Sequence, residues 1–475
     1  MNRIFLETDN RQVDTAFYLA VSDLVSNVRP GENGDTDAPV LMAGMGYECP
    51  WVRDTAINTH HAAALLMPDV ARNSLLSCLT EENGTYQISA EKQYGQNWDC
   101  VLWILGAWAY YVHSADTEFL KLAWNVTVQA LSYFETHFFD SAIGLFRGPA
   151  CYGDGISAYP DRYAKTGDSG ILSYLRATGE EMPPMFSLST NCLYVQAYRV
   201  ADWIAERLEI APRFAERAEN LKKRVNECFW SEQLGRYRYL VDAEGGCDAA
   251  EGLGEAFAIL YGIADADKIR KMVQNQPITE QGIACVYPSF ARYKGADGKE
   301  FGRHSGTVWP HIQSYWADAM LRNGYPEAFA HEFFALTRNA VRDGFFSEIY
   351  HPITGMPYGG WQEENGKIVL WNSEKKQTWS ATGYLHMILN NILGIGVREH
   401  SFTVQPYLPA GISSVSLSGL TIRNKPVRLK VSGHGGTVQS CKLNGNASNP
   451  NFFDTDADRF DIEIVVSEES NTKKR

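Results

Sequence analysis

The chain has 475 residues, with 43 Lys+Arg against 56 Asp+Glu and a formal charge of −13. Its 45% hydrophobic and 21% charged content is that of a globular protein, not a disordered or fibrous one. The acidic balance argues against nucleic acid, whose affinity for proteins comes largely from Lys and Arg neutralising phosphates, and no apolar run approaches the roughly 20 residues that cross a bilayer.

The opening residues, Met1 to Asp9, carry no long apolar core before their acids, so no secretory signal is expected and the chain reads as cytoplasmic. Nine cysteines are scattered singly with no CxxC pair, which suits reduced core thiols and neither a disulfide frame nor a zinc site. His60 and His61 are adjacent and diverge on a helix, so neither a metal nor a cofactor is expected. Asn-x-Ser/Thr triplets at Asn83, Asn125 and Asn446 are chance matches in a non-secreted chain. Aromatics make up 12% of the residues, and many sit beside Gly, Pro and charge in loop-like stretches, where sugar-stacking platforms occur. A small carbohydrate is the expected partner; the oligomeric state stays open.

In chain order, helical periodicity runs over 11–27, 54–67, 69–80, 97–114, 117–138, 190–208 and 211–229. It continues over 251–262, 266–275, 307–323, 325–342 and 379–394. A turn-rich stretch occupies 30–37. Breaks alternate between short turns, such as Ala115-Asp116, and long loops rich in Gly, Pro, Tyr and Trp, notably 143–186 and 343–378. That rhythm predicts a ring of helical hairpins with its long loops gathered at one end, an all-α (α/α)6 barrel over residues 1–395. After residue 395 the period changes to two (Phe402-Thr403-Val404, Val427-Arg428-Leu429-Lys430-Val431), predicting a small antiparallel β appendage over 396–470.

Six loop segments combine aromatic and charged residues. Trp51-Val52-Arg53-Asp54-Thr55 stands at a helix start, where Asp54 is a plain N-cap or, with Trp51 and Arg53, part of a polyol grip. Gln96-Asn97-Trp98-Asp99 precedes an apolar helix; Trp98 and Asp99 are capping residues or sugar ligands. In Arg147…Tyr152-Gly153-Asp154-Gly155, Asp154 is a turn former or a carboxyl with a tuned pKa, flanked by Arg147 and Tyr152. Arg303-His304 and Trp309-Pro310 lead into a late helix, Glu348 lies among aromatics, Trp361 sits in the last long loop, and Trp379 opens the final helix.

Taken in order, these segments resemble the six-hairpin glycosidases. They are nearest to the glucosidase part of glycogen-debranching enzymes and the processing α-glucosidase I family, with trehalase more distant. Ala43-Gly44 followed by Trp51-x-Arg53-Asp54-Thr55, Gly306-Thr307-Val308-Trp309-Pro310, Glu348-Ile349-Tyr350-His351-Pro352-Ile353-Thr354-Gly355 and Trp379-Ser380-Ala381 are similar to segments of that family. The resemblance implies an inverting, exo-acting α-glycosidase, α-glucosidase-like, on short oligosaccharides or a small glycoside. Glu348 falls in the segment carrying the family's base. Gly153-Asp154-Gly155 is the nearest counterpart of the segment carrying its acid, so Asp154 is the expected proton donor. Trp51, Arg53, Asp54, Trp98, Asp99, Arg147, Tyr152, Arg303, His304, Trp309, Trp361 and Trp379 are the expected substrate-binding residues. An α-L-rhamnosidase-like or glucosylglycerate-type hydrolase is the alternative, and an inert carbohydrate-binding barrel the third reading. An acid that protonates the leaving oxygen needs an apolar or like-charged setting that raises its pKa.

Overall fold

Asn10 opens the helical part of the chain, its side chain accepting the N–H groups of Gln12 and Val13 ahead of α1 (Arg11–Ser26). The structure, a computed structural model, describes residues 3–31, 38–89, 95–179, 183–295 and 297–468. The turn expected at 30–37 therefore lies largely outside the described residues. The principal helices that follow are α2 (Val52–Asn58), α3 (Pro68–Ser77), α4 (Leu102–Ser114), α5 (Thr117–Phe138), α6 (Leu188–Arg207) and α7 (Ala215–Phe229). After them come α8 (Gly252–Leu260), α9 (Ala266–Asn275), α10 (Pro310–Arg322), α11 (Pro326–Asp343) and α12 (Thr378–His386). Asp116 and Asp265 cap α5 and α9 by accepting the N–H groups of Phe119 and Lys268, and proline begins α3, α10 and α11.

The even-numbered helices pack side to side in the order α2, α4, α6, α8, α10, α12, and α12 returns to α2, closing a ring. The odd ones lie outside it: α1 against α12 and α11, α3 against α4, α5 against α4 and α6, α7 against α6, and α11 against α10. Burial follows this division. Every residue of α12 is buried, as is every residue of α10 from Pro310 to Met320, because these helices have neighbours on all sides. Outer α7 buries Ala218, Leu221, Val225 and Phe229, a single stripe at spacings of three and four, and leaves its charged face to solvent. Two inner helices run on as π-helical turns, α2 through Thr59–Ala63 and α12 through Met387–Ile392.

Within residues 1–395 the all-α expectation is corrected by a short strand near the N-terminus and by hairpins between the helices. A six-stranded sheet follows the ring, built from β1 (Phe5–Thr8), β2 (Ser414–Ile422), β3 (Lys425–Gly433), β4 (Thr437–Leu443), β5 (Asn446–Ala447) and β6 (Phe460–Ser467) in the order β1-β2-β3-β6-β4-β5. The expected purely antiparallel pairing is corrected too, since β3 and β6 run parallel, Leu429 opposite Ile462. β1 comes from the other end of the chain and pairs antiparallel with β2, Leu6 opposite Leu417. One face is apolar by strict alternation, Phe460, Ile462, Ile464 and Val466 being buried while Asp461 and Glu463 face out. Short hairpins also punctuate the helices, among them Trp361–Glu364 with Lys367–Leu370, and a further helix, Ile171–Thr178, lies within the long loop after α5.

Candidate active site

Residues just before the N-termini of α2, α4, α10 and α12, together with the long loop between α5 and α6, surround a pocket of about 390 Å³. Of the residues singled out in the sequence, Trp51, Arg53, Asp54, Asp154, Arg303, His304, Trp309, Glu348 and Trp379 line it. Four come from the sequence before or within the first turns of α2 and α12, three from the turn 303–309, and one each from the loops at 154 and 348.

Glu348 is held from three sides. Arg303 Nη2 donates to Oε2 at 2.8 Å, the Glu374 N–H reaches the same oxygen at 3.3 Å, and the Tyr47 hydroxyl donates to Oε1 at 3.0 Å. Arg303 is itself fixed by donating from Nη1 to the carbonyls of Gly359 and Asn372 at 3.2 and 3.3 Å, and its guanidinium lies 5.2 Å from the ring centre of Trp371. Its backbone carbonyl accepts the Trp309 indole N–H at 3.0 Å, so the same turn that places the cation also places that aromatic wall.

Asp154 lines the same pocket with its side chain 32% exposed. Arg53 Nη2 donates to Oδ2 at 3.4 Å, and His304 Nε2 lies 3.2 Å from Oδ1. Burial pushes this carboxyl up, but Arg53, His304 and Arg303 outweigh it and hold it well below the usual carboxylate range. The expected raised pKa at Asp154 is thereby corrected, because the guanidinium groups of Arg53 and Arg303, brought in from distant segments, act on the carboxyl. The raised acid is its neighbour Asp54, lifted to about 7 by burial and by the like charges of Glu348 and Asp154, against the pull of Arg53.

The turn carrying Asp154 is strained. Tyr152 has φ of 63°, a left-handed conformation that costs a bulky residue roughly 1–3 kcal/mol. It is held there by its N–H donating to Asp99 Oδ2 at 3.0 Å and its hydroxyl donating to the Cys285 carbonyl at 3.3 Å. Gly153 and Gly155 are required for close approach: a Cβ on the second would collide with the His304 ring and the Gln362 amide.

Five expected ligands lie outside the pocket wall. Asp99 is fully buried, accepting from Arg53 Nη1 at 3.1 Å and from the Tyr152 N–H. Trp98 is buried and donates its indole N–H to the Ala150 carbonyl at 3.0 Å, supporting the Asp154 turn from behind. Tyr152 is buried behind His304 and Trp309, with ring centres 6.1 Å from each. Trp361 contributes its backbone carbonyl, which accepts the Arg303 N–H at 2.9 Å. Arg147 follows the short strand Leu145–Phe146, and its N–H donates to the Phe138 carbonyl on the outer side.

Tyr47, Gln96, Gln362 and Trp371 join the wall unforeseen, as do Gly155, Ser169, Gly170 and Leu172. Gln96 and Gly155 stand within segments already quoted, and Tyr47 lies between Ala43-Gly44 and Trp51, so their neighbours were the available signal. Gln362 and Leu172 carried none, since their approach depends on the hairpin and short helix folding back over the ring. Among the described residues no group of three or more His, Cys, Asp or Glu side chains is arranged to hold a metal ion, and no helix is long and apolar enough to cross a membrane.

Residues 81–380 match the family model described as mannosylglycerate hydrolase MGH1-like glycoside hydrolase domain. The matched span includes Asp154, Arg303 and Glu348, whereas Trp51, Arg53 and Asp54 precede it. No curated protein matches the chain. Among solved structures, a GH78 family rhamnosidase of Bacillus sp. GL1 aligns at TM-score 0.59 and 14% identity over 99% of this chain and 44% of its own. A GH63 mannosylglycerate hydrolase of Thermus thermophilus, in complex with glucose, aligns at TM-score 0.56 and 16% identity over 78% of this chain and 99% of its own. An α-L-rhamnosidase of Streptomyces avermitilis, complexed with L-rhamnose, aligns at TM-score 0.56 and 11% identity over 90% of this chain and 36% of its own. This chain thus spans less than half the length of either rhamnosidase, and likeness at these identities is one of fold.

Proposed function

The chain belongs to the mannosylglycerate hydrolase MGH1-like glycoside hydrolase family, and on that premise we propose that it is an inverting, exo-acting glycosidase that releases one sugar from a small α-glycoside. The observation that carries the reading is that Asp154 and Glu348, from loops almost two hundred residues apart, line one pocket with Trp51, Trp309 and Trp379. Its 390 Å³ lies near the small end of ligand pockets, which run from roughly 300 to 1,000 Å³, and suits a single sugar with a compact aglycone better than a long chain. The closed ring of inner helices with outer partners supports the six-hairpin (α/α)6 reading of the barrel.

In this reading Glu348 is the base. It is paired to Arg303, and Tyr47 and the Glu374 N–H hold its carboxylate so that one oxygen edge is left for a water. Asp154 is the acid. It lacks the proton in the free pocket because Arg53 and His304 lie against it; a sugar that draws Arg53 to its hydroxyls removes that pull and leaves the carboxyl desolvated, so that it takes up a proton from solvent before the bond breaks. Asp54 and Arg53 hold hydroxyls of the glycone, and the tryptophans give it apolar walls. Inversion requires the two carboxyls to stand roughly 6.5–9.5 Å apart with a water between sugar and base.

For the substrate, the family description and the Thermus neighbour support a glycosylglycerate, with mannosyl or glucosyl as the sugar, ahead of a general α-glucoside. A rhamnoside is the second reading, favoured by one observation: the rhamnosidase alignment runs over 99% of the chain against 78% for the mannosylglycerate hydrolase. The test is hydrolysis of mannosylglycerate, glucosylglycerate, maltose and nitrophenyl α-L-rhamnoside, followed by proton NMR of the anomer first released. A β-sugar from an α-glycoside supports the reading, with Glu348→Gln inactive yet folded. Retention of configuration, or full activity in Glu348→Gln, overturns it.

A further inference from the structure

Ser157 lies in the short 3-10 turn Ile156–Ala158, fully buried, three residues beyond Asp154. Its Oγ accepts the backbone N–H of His304 at 3.1 Å and stands 3.2 Å from the Nδ1 of the same histidine. Its own N–H donates to Gln362 Oε1 at 3.1 Å, which keeps the turn in place under the hairpin. A hydroxyl has one proton to give, and Nδ1 is the acceptor that Oγ reaches among the described residues. If Nδ1 accepts, the ring proton of a neutral imidazole belongs on Nε2.

The other side of the ring leads to the same assignment. Nε2 is buried in the pocket wall, makes no hydrogen bond among the described residues, and lies 3.2 Å from Asp154 Oδ1. A bare lone pair there would face carboxylate oxygen; an N–H faces it favourably. The charged groups around the ring are Asp154, Arg303 and Arg53; burial above all, with the two guanidinium groups, opposes its protonation against the pull of Asp154, so it presents one donor and one acceptor. Trp309 stacks on it with ring centres 4.8 Å apart and planes 24° from parallel, which prevents the ring from turning to exchange its two nitrogens.

We propose that Ser157 is a positioning residue that locks His304 in its Nε2–H tautomer, so that the pocket meets a hydrogen-bond donor beside Asp154 and not a lone pair. That N–H faces Asp154 Oδ1 in the free pocket, and a sugar oxygen bound beside Asp154 shares it, a specificity for an acceptor at that point of the glycone; this role rests on reading the pocket as a glycoside site. The tautomer itself does not.

The two are separated by pairing a spectroscopic with a kinetic measurement on the full chain. With 15N-labelled histidine, the His304 ring signals are assigned by their loss in His304→Gln. The expected result for the free wild-type protein at neutral pH is a protonated Nε2 and a bare Nδ1; Ser157→Ala gives a mixture of tautomers and Ser157→Thr restores one. A protonated Nδ1 in the wild type, or an unaltered ring signal in Ser157→Ala, overturns the proposal whether or not any glycoside is cleaved. Should Ser157→Ala not fold, the wild-type spectrum alone decides. On whichever glycoside is hydrolysed, Ser157→Ala is expected to lower kcat/KM about tenfold, the worth of one hydrogen bond, with Ser157→Thr recovering it. An equal loss in both variants, with the tautomer intact in Ser157→Thr, overturns the donor role. No hydrolysis of any glycoside refutes the proposed function and leaves the tautomer to the spectrum.

Discussion

Arg53 joins Asp154 to Asp99 through one guanidinium: Nη2 donates to Asp154 Oδ2 at 3.4 Å and Nη1 to Asp99 Oδ2 at 3.1 Å. Asp99 in turn accepts the N–H of Tyr152, the left-handed residue two positions before Asp154. The buried carboxylate thus fixes both the cation beside Asp154 and the turn that bears it. The planar fork makes the bonds from two nitrogens held at a fixed separation, a geometry that the single nitrogen of an ammonium does not reproduce.

Arg53→Lys should therefore keep the charge and lose the geometry. A displacement on the order of 1 Å in the groups that grip the sugar costs about 100-fold in rate, and steady-state kcat/KM is expected to fall by that order with little change in melting temperature. Asp99→Asn removes the buried counter-charge of Arg53 and is expected to destabilise the fold by about 3–5 kcal/mol, read as the free energy of unfolding in urea.

Asp154 and Asp54 line the same pocket and are separated by leaving-group chemistry. An acid is dispensable when the leaving group needs no proton. Asp154→Asn should lose at least about 100-fold on the natural glycoside and recover most of it on a glycosyl fluoride of the same sugar. Asp54→Asn should be slow on both, because it loses a grip on the glycone common to the two substrates. The opposite pattern would exchange the roles of the two carboxyls.

Two carboxyls away from the pocket set a pH dependence of stability. Glu251 and Glu255, fully buried at the start of α8, are each pushed up to about 8 by burial. Unfolded, each ionises near 4.5, so between that pH and about 8 the unfolded state binds fewer protons and stability falls as pH rises. Glu251→Gln and Glu255→Gln keep the acceptor oxygens for the Ser189 and Tyr237 N–H groups without this penalty. The melting temperature of each variant relative to wild type should therefore rise from pH 5 to pH 8, a gain of about 1–3 kcal/mol per site across that window.

Gly155→Ala tests the packing of the turn that bears Asp154. The added methyl would run into the His304 ring and the Gln362 amide, neither of which has room to move in a buried site. Activity should fall by about 100-fold while the far-UV circular dichroism is unchanged.

Much of the ring was legible in the residues. Outer helices such as α7 announce themselves by one apolar stripe, whereas inner α10 buries His311, Gln313 and Asp318 along with its apolar residues, so its place in the ring shows only once the helices pack. The segments around Trp51, Arg303, Glu348 and Trp379 stood out because costly residues, aromatics beside buried charge, occur in loops. Less legible were the short strand at Phe5–Thr8 and its partner more than four hundred residues away, since four residues of alternation carry little signal before pairing.

By itself the amino-acid order determined which stretches turn into helices and which side chains can carry acid–base chemistry, because both follow from local period and residue type. Only the tertiary structure decided the setting of each carboxyl. Asp99 became a buried partner of Arg53, Asp54 a carboxyl lifted to about 7, and Asp154 one held ion-paired well below the usual range, according to where Arg53 and Arg303 came to rest. The electrostatic setting of a carboxyl depends on burial and on charges brought in from distant loops, and neither exists until the ring has closed.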